Sequence, residues 1–265
     1  MAIDRRTEWI SHRGLSRERP ENTLSAFLLA LERGADGIEL DVHATRDGML
    51  VVHHDHMLPA PFGAVAHAPY ESDSPDVRAI AELSARELGG FSVAGEPIPT
   101  LDQVLSAVGG RAVLYIELKA RRIESLVAGA LADARDLSRY AVHSFDHRAV
   151  RRMRELAPEL ATGILTVSYL LDPAATLRAA GARDYWAEWQ TIDRALVNEV
   201  HAAGGRVIAW TVNDQAAAAA LIALGVDGIC TDALIGAHRA AAVRDLQQPS
   251  GADAASPART GNRPA

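Results

Sequence analysis

Strand-like and helix-like segments alternate along almost the whole chain, and this alternation limits the possible folds more than any other feature. Short β-rich runs and helical patterns follow each other from residue 8 to residue 231, with glycines at most of the joints. Glycine directly after a helix is a common C-terminal stop. Repeated βα units therefore predict a parallel sheet that is covered by helices.

The pattern predicts strands and helices in numbers that suit a closed barrel. The predicted strands are Glu8–Ser11, Gly37–Val42, Leu50–His53, Ala112–Leu118, Ala141–Phe145, Thr162–Thr166, Arg206–Thr211 and Gly228–Thr231. The predicted helices are Asn22–Arg33, Thr100–Val108, Ile123–Ala134, His147–Leu156, Pro173–Ala180, Ile192–Ala203 and Gln215–Leu224. At 265 residues, a single α/β domain with a (β/α)8 barrel is favoured over an open doubly wound sheet. No Gly-x-Gly-x-x-Gly turn follows the first strand, which weakens a dinucleotide-binding alternative.

Two segments interrupt the alternation. Residues 59–99 contain several prolines and glycines and little periodicity, which predicts a small insertion after the second βα region, with a short helix at Val77–Glu87. Residues 249–265 are rich in alanine, proline, glycine and polar residues, and this composition predicts a disordered tail. Residues 1–248 are therefore expected to form one barrel domain.

Composition and charge argue against several classes of protein. The net charge is −7 and no basic patch is present, which disfavours a nucleic-acid partner. The chain has neither an N-terminal apolar signal core nor an apolar run of about 18 residues, so stable membrane insertion is not expected. Cys230 is the only cysteine, which rules out an internal disulfide. We expect a cytoplasmic protein, and its oligomeric state stays open.

Acidic residues on two apolar strands predict a metal site. Side chains alternate between the two faces of a strand, so polar residues that alternate with apolar ones should face the barrel interior. These inward-facing residues are Glu39, Asp41, His43, Tyr115, Glu117 and Lys119. Buried carboxylates are costly unless they are paired or bind a metal, and three together suit hard cations such as Mg²⁺ and Ca²⁺. An ion-pair network with Arg13 and Lys119 is the structural alternative.

Histidines and one arginine follow predicted strands, where barrel enzymes carry their catalytic groups. His12 ends the first strand, and Arg13 beside it suits either a bidentate phosphate contact or a surface salt bridge. His54 ends another strand-like run. Its neighbours His53 and His56 leave open which of the three imidazoles points inward.

Taken together, these motifs resemble one family, the glycerophosphodiester phosphodiesterases. The resemblance rests on "SHRGLSRERPENTLSAFLLALERGADGIELDVHATRDGMLVVHHD", followed by "YIELK", "HSFD", "AWTVND" and "GVDGICTD" in order. It extends over roughly residues 9 to 235. The family is a TIM barrel, which agrees with the alternation. It implies metal-dependent hydrolysis of a glycerophosphodiester to an alcohol and sn-glycerol 3-phosphate, with attack by the glycerol 2-hydroxyl giving a cyclic phosphate first.

The resemblance also implies roles for individual residues. By position in the motifs, His12 and His54 correspond to the general acid/base pair, and imidazole suits this work because its ordinary pKa is near neutrality. Arg13 and Lys119 correspond to phosphate contacts, and Trp210 corresponds to an aromatic wall of the pocket.

The same resemblance implies that Glu39, Asp41 and Glu117 bind a divalent metal, either Mg²⁺ or Ca²⁺. Glu21 and Asn22 match the family's Glu-Asn-Thr motif. They are expected either to support catalysis or to cap the first helix, since asparagine is a good N-cap residue. The expected partner is a small-molecule glycerophosphodiester.

Two stretches depart from the family pattern. Residues 59–75 read "PAPFGAVAHAPYESDSP", which leaves the alcohol group of the substrate open. Phe62, Val65 and Tyr70 in this stretch would suit an acyl chain, so lysophospholipid hydrolysis is one alternative. The region of the sixth strand, "ARDYWAEWQTID", is also unusual. Trp186 and Trp189 are expected either to line a pocket or to pack, and packing is favoured.

Two further alternatives change the class of function. A non-catalytic barrel that binds a phosphorylated ligand is possible because a fold does not determine a function, although the residues that the chemistry needs are all present. A nucleic-acid phosphodiesterase would also use a metal site, but the acidic net charge argues against it.

Overall fold

A computed structural model describes residues 6–58 and 77–234 of the chain. The predicted tail at 249–265 and the first part of the predicted insertion, with Phe62, Val65 and Tyr70, lie outside the described residues.

Eight parallel strands close into a barrel. The strands are β1 (Glu8–Ser11), β2 (Gly37–Ala44), β3 (Leu50–Val52), β4 (Met57–Leu58), β5 (Arg78–Ala79), β6 (Ser92–Val93), β7 (Glu96–Pro97), β8 (Val113–Leu118), β9 (Tyr140–Ser144), β10 (Ala161–Thr166), β11 (Asp184–Glu188), β12 (Arg206–Trp210) and β13 (Gly228–Thr231). The barrel order is β1-β13-β12-β11-β10-β9-β8-β2, and pairing of β1 with β2 closes it. The predicted (β/α)8 barrel is confirmed.

Helices follow the barrel strands and cover the sheet. They are α1 (Leu24–Glu32), α2 (Ala85–Leu88), α3 (Leu101–Val108), α4 (Glu124–Leu131), α5 (His147–Leu156), α6 (Pro173–Ala180), α7 (Arg194–Ala202) and α8 (Gln215–Leu224). Short 3₁₀ turns lie at Ile80–Glu82, Leu137–Arg139 and Trp189–Thr191. Within the described ranges, no helix combines the length and apolar character that a membrane span requires.

Two strand assignments differ from the prediction. Leu50–Val52 is a strand, but it pairs antiparallel with the C-terminal end of β2 and is not part of the barrel. The sixth barrel strand is Asp184–Glu188, which lies in the sixth-strand region "ARDYWAEWQTID" but was absent from the strands predicted by the alternation. Its two ends are acidic, and Asp184 is fully buried because arginines pair with it. These charges hid the apolar pattern of the strand.

The predicted insertion is only partly described, and it forms small elements rather than the predicted helix. Val77–Glu87 contains β5, the 3₁₀ turn Ile80–Glu82 and the start of α2. β4 pairs with β5 and β6 pairs with β7, each antiparallel. A small separate core holds these elements against β3 and consists of Val51, Leu58, Ile80, Leu83, Leu88 and Ile98.

The main core has two layers. Inside the barrel, a cluster fills the space between the strands and comprises Ile10, Tyr115, Ala141, Leu165, Trp186, Ile208 and Cys230. Outside it, apolar side chains pack between strands and helices, and Ile38, Leu40 and Val42 of β2 are fully buried there. The predicted alternation on β2 is therefore confirmed, and Glu39 and Asp41 lie on the opposite, inward face.

A paired group of charged side chains occupies the N-terminal ends of three barrel strands. Arg183 donates two hydrogen bonds of 2.7 Å to the carboxylate of buried Asp184. Arg206 donates to Glu8 at 2.8 Å, and the hydroxyl of Tyr115 donates to the same carboxylate at 2.6 Å. Every acid in this group has a cationic partner, as buried charges require.

Candidate active site

A polar pocket opens at the C-terminal ends of the barrel strands. Seven of the ten residues predicted from the sequence line it: His12, Arg13, Glu39, His54, Glu117, Lys119 and Trp210. Asp41 lies beside the pocket and is 1 % exposed, whereas Glu21 and Asn22 lie in the loop after β1. The catalytic end of a barrel is this C-terminal face.

Strand register brings the inward-facing polar residues together. Asp41 on β2 is opposite Glu117 on β8, and Glu117 is in turn opposite His143 on β9. Adjacent positions on neighbouring strands are about 5 Å apart, so these three side chains necessarily meet. Glu39, one inward position earlier on β2, reaches the same space and is 3 % exposed.

Asp41 is held by cations and an amide. The Nε of Arg13 lies 3.2 Å from Asp41 Oδ2, and the Nζ of Lys119 lies 3.7 Å from Oδ1. Asn22 Nδ2 donates to Oδ2 at 2.8 Å. Although burial disfavours the charged form, Arg13 and then Lys119 hold the pKa of Asp41 well below its usual range. Asp41 is therefore a carboxylate at neutral pH.

The negative charges of the other two carboxylates, Glu39 and Glu117, are less fully balanced by nearby cations. Burial, followed by the charge of Asp41, raises the pKa of Glu117 to about 7, even though the Nζ of Lys119 is 3.1 Å away. The same two causes raise the pKa of Glu39 well above its usual range. Three buried carboxylates thus share two nearby cations, and an added cation would favour the ionised forms.

The residues present fit a divalent metal. Ligand atoms of Glu39, Glu117 and His143 lie within 4.8 Å of one another, and all three residues are buried. The predicted set contained Asp41 in place of His143. In the structure Asp41 lies next to this group, but its oxygens face Arg13, Lys119 and Asn22. A divalent metal is thus supported by the donor chemistry of the site.

Each of the two predicted histidines has a carboxylate at Nδ1. His12 Nδ1 is 2.7 Å from Asp232 Oδ1, and His54 Nδ1 is 2.7 Å from Asp55 Oδ1. This pairing leaves Nε2 of each ring available to the pocket, and Nε2 of His12 lies 4.0 Å from Glu39. Of the three neighbouring histidines, His54 is the one that lines the pocket.

Asp232 is a site residue for which no role was predicted from the sequence. Besides His12, it accepts hydrogen bonds from Ser16 Oγ at 3.1 Å and from Asn213 Nδ2 at 2.5 Å. Although burial opposes ionisation, the hydrogen bond with His12 and the two others lower the pKa of Asp232 to about 2. Asp232 ends the quoted motif "GVDGICTD" and Asn213 is the next-to-last residue of "AWTVND", which was the available signal.

Glu21 and Asn22 hold the loop after β1. Arg13 Nη1 donates to both oxygens of Glu21 at 3.0 Å. Asn22 has a positive φ of 57° and binds Asp41, so the expectation that it caps the first helix is wrong. Thr23 is the N-cap, and its hydroxyl accepts the Ala26 N–H at 3.3 Å. Both residues therefore fix the positions of Arg13 and Asp41.

Aromatic side chains form one side of the pocket. Trp210 lines it and meets Phe145 edge to face, with ring centroids 5.6 Å apart. Trp186 is 1 % exposed and stacks on His143, while Trp189 packs against the outer core. Both tryptophans pack, as expected, and Trp186 also lines the pocket.

The fold and this pocket together define a class of protein. Carboxylates, imidazoles and cations gathered at the C-terminal mouth of a (β/α)8 barrel are the groups that barrel hydrolases use on phosphate esters. Residues 12–235 match the model of the glycerophosphoryl diester phosphodiesterase family, and the chain belongs to that family.

Individual relatives agree with this assignment. A glycerophosphodiester phosphodiesterase of Caldanaerobacter subterraneus is 35% identical over 232 residues, which cover 84% of this chain and 93% of the relative. One from Bacillus altitudinis is 32% identical over 238 residues, covering 85% and 94%. The solved structure of an Oleispira antarctica phosphodiesterase in complex with the product sn-glycerol-3-phosphate has a TM-score of 0.75 and 25% identity, covering 85% of this chain and 92% of that chain.

Proposed function

We propose that this chain hydrolyses glycerophosphodiesters to an alcohol and sn-glycerol 3-phosphate. The observation that carries the proposal is the arrangement at the barrel mouth. Two imidazoles, each paired with a carboxylate at Nδ1, border a buried group of carboxylates and cations. The membership of the family and the product found in the Oleispira antarctica relative support the same substrate class.

Arg13 and Lys119 are proposed to bind the phosphate. Both are already held by carboxylates: Arg13 by buried Asp41 and half-buried Glu21, and Lys119 by buried Asp41 and Glu117. Positive groups fixed in this way stabilise developing negative charge without reorganising during the reaction. A Mg²⁺ or Ca²⁺ ion held by Glu39, Asp41 and Glu117 would supply Lewis-acid polarisation of a nonbridging phosphate oxygen.

His12 and His54 are proposed as the acid/base pair. One imidazole takes the proton of the glycerol 2-hydroxyl while its oxygen bonds to phosphorus, and the other protonates the leaving alcohol oxygen as its bond to phosphorus breaks. A water molecule then opens the cyclic phosphate with the two roles exchanged. Asp232 and Asp55 keep Nδ1 of each ring occupied, which leaves Nε2 for the proton transfers.

The test uses the metal-stripped protein with glycerophosphocholine, to which Mg²⁺ or Ca²⁺ is added back. Release of sn-glycerol 3-phosphate is expected only with metal, and Glu39→Ala is expected to abolish it. Absence of release under both metals would contradict the proposal. Binding of the substrate without turnover would then favour the non-catalytic barrel.

Lysophospholipids are the second candidate substrates, because apolar side chains are exposed just beyond the C-terminal ends of β9 and β10, at the same end of the barrel as the pocket. Phe145, directly after β9, is 45 % exposed, and Val167 and Tyr169, directly after β10, are 65 % and 44 % exposed. An acyl chain would cover such surface. Turnover of lysophosphatidylcholine but not of glycerophosphocholine would favour this substrate, and the reverse would exclude it.

A further inference from the structure

His143 is a buried imidazole whose role the proposed reaction leaves open. It lies on the inward face of β9 and is 1 % exposed. Its ring stacks on Trp186 with centroids 4.3 Å apart and planes 10° apart. This stacking fixes the plane of the imidazole, so its two nitrogens have defined directions.

Nε2 of His143 is directed at the buried carboxylates. It lies 3.8 Å from Glu39 Oε1, which is too long for a hydrogen bond, and strand register sets Glu117 beside the same ring. Ligand atoms of the three residues lie within 4.8 Å of one another. Ligands at about 2 Å from a shared cation would have such mutual distances.

Nδ1 of His143 is buried and has no hydrogen-bond partner among the described residues. An unsatisfied buried nitrogen is costly, and most buried polar atoms in proteins are hydrogen-bonded. A histidine retained at such a position needs a compensating interaction. Among the described residues, Nε2 of the ring faces Glu39, and Glu117 belongs to the same group of ligand-type atoms.

We propose that His143 supplies a nitrogen ligand, through Nε2, to the cation held by Glu39 and Glu117. The inference rests on the metal site of the proposed function. A donor set of carboxylate oxygens plus one imidazole favours late first-row ions such as Co²⁺ and Zn²⁺, relative to an all-oxygen set. Ca²⁺ prefers oxygen and would gain little from the imidazole.

The test measures metal binding without substrate. Dissociation constants for Co²⁺ and Ca²⁺ are determined by calorimetry for the metal-stripped wild type, for His143→Phe and for His201→Gln. Phenylalanine keeps a ring that stacks on Trp186 but offers no ligand atom. We expect His143→Phe to weaken Co²⁺ binding by about 10-fold or more, as loss of a metal-supporting group typically does, and Ca²⁺ binding by less than about 3-fold.

His201→Gln is the matched control. His201 is a half-buried imidazole on α7 that pairs with Asp227 at 2.7 Å, outside the pocket. Its substitution is expected to leave both constants unchanged. Equal weakening of Co²⁺ and Ca²⁺ binding in His143→Phe, or no weakening of either, would overturn the proposal.

A second measurement does not depend on His143→Phe folding. X-ray absorption of His201→Gln loaded with one equivalent of Co²⁺ should show scattering from an imidazole ligand, and absence of that signal would contradict the proposal. The outcome is separable from the proposed reaction. If the protein binds Co²⁺ through His143 but does not hydrolyse the diester, only the proposed reaction is contradicted. If it hydrolyses the diester but binds Co²⁺ without an imidazole ligand, only the proposed role of His143 is contradicted.

Discussion

Charged side chains are buried at both ends of the barrel, and the two groups differ in how their charges are balanced. At the N-terminal end, Asp184 and Glu8 face Arg183 and Arg206, so each acid has its own cation. At the C-terminal end, three buried carboxylates share Arg13 and Lys119. The charges of the first group are balanced, whereas the second has an excess of negative charge.

This difference in charge balance distinguishes buried charges that stabilise the fold from buried charges that are available to a ligand. In the N-terminal group, although burial opposes it, the negative charges of Asp184 and Glu8 raise the pKa of Arg206, which is the behaviour of a satisfied ion pair. In the C-terminal group, burial raises the pKa of Glu117 to about 7. Carboxylates kept in that state are expected where a ligand completes the balance. Substitutions at the C-terminal end should therefore lower turnover, whereas substitutions at the N-terminal end should lower stability.

The largest expected effect is on turnover at the C-terminal end. His12→Ala and His54→Ala should each lower kcat by about 10³-fold, since general acid–base catalysis contributes roughly 10²- to 10⁴-fold. Metal binding and the unfolding midpoint should change little. Steady-state kinetics on the metal-loaded protein provide the measurement. His201→Ala, which removes an imidazole outside the pocket, serves as control, and near-normal turnover in either pocket variant would refute the pair.

At the N-terminal end, we expect a loss of stability without a loss of turnover. Asp184→Asn should lower the free energy of unfolding by about 3–5 kcal/mol, because it leaves the charges of Arg183 and Arg206 without their buried partner. kcat of the folded protein should be unchanged. Urea unfolding measures the loss, with Glu155→Gln as control, since Glu155 is a 53 % exposed partner of Arg152. A stable Asp184→Asn protein with impaired kcat would reverse the assignment of the two ends.

The same contrast explains what the sequence was able to predict. Inward-facing Glu39, Asp41 and Glu117 stand out because strand alternation is local and their neighbours are apolar. Asp184 gave no such signal. Its partners are the adjacent Arg183 at 2.7 Å and the distant Arg206 at 3.9 Å, and local alternation does not predict that such a charged pair is buried at the start of β11.

Contacts between residues on different barrel strands could not be predicted from local sequence patterns either. His12 and Asp232 are 220 positions apart and meet only because β1 pairs with β13. The approach of His143 to Glu117 depends on the register between β8 and β9. Local periodicity predicts which face of a strand a residue takes, but not which residue lies opposite it on the neighbouring strand.

His53 is a further buried ionisable residue, and it differs from the paired charges at the N-terminal end of the barrel. His53 is 4 % exposed and its Nε2 has no hydrogen-bond partner among the described residues. Burial lowers the pKa of His53 to about 4, against about 6.5 in the unfolded chain. The unfolded state therefore binds the proton first as pH falls. The stability due to neutral His53 is present above pH 6.5 and is lost progressively down to about pH 4.

The expected loss from His53 is about 3 kcal/mol between pH 7 and pH 4, at about 1.4 kcal/mol per unit of pKa difference. Urea unfolding at several pH values should show a shallower acid decline for His53→Gln than for the wild type. Other buried histidines contribute equally to both proteins, so the difference isolates His53. Identical pH dependence in the two proteins would contradict this prediction, because it would show that the pKa of His53 is the same in the folded and unfolded states.

The smallest expected effect concerns the carboxylate behind His12. Asp232 uses both oxygens as acceptors: Oδ1 faces His12 Nδ1 and Ser16 Oγ, and Oδ2 faces Asn213 Nδ2. An asparagine in its place must turn its NH₂ group toward one of these donors. Asp232→Asn therefore keeps the shape of the side chain but loses either the fixed tautomer of His12 or the contact with Asn213, together with the negative charge that stabilises a protonated imidazole.

Asp232→Asn should lower kcat by about 10- to 100-fold, which is part of the contribution expected from a general acid or base. KM and the metal dissociation constant should stay within about 3-fold, because Asp232 contacts neither the proposed phosphate ligands nor Glu39 and Glu117. Asp55→Asn is the matched variant behind His54. If Asp232→Asn instead raised KM at constant kcat, Asp232 would act on substrate binding and the pairing with His12 would be structural. A drop in kcat for Asp232→Asn with a shifted pH–rate profile would identify it as the residue that sets the protonation of His12.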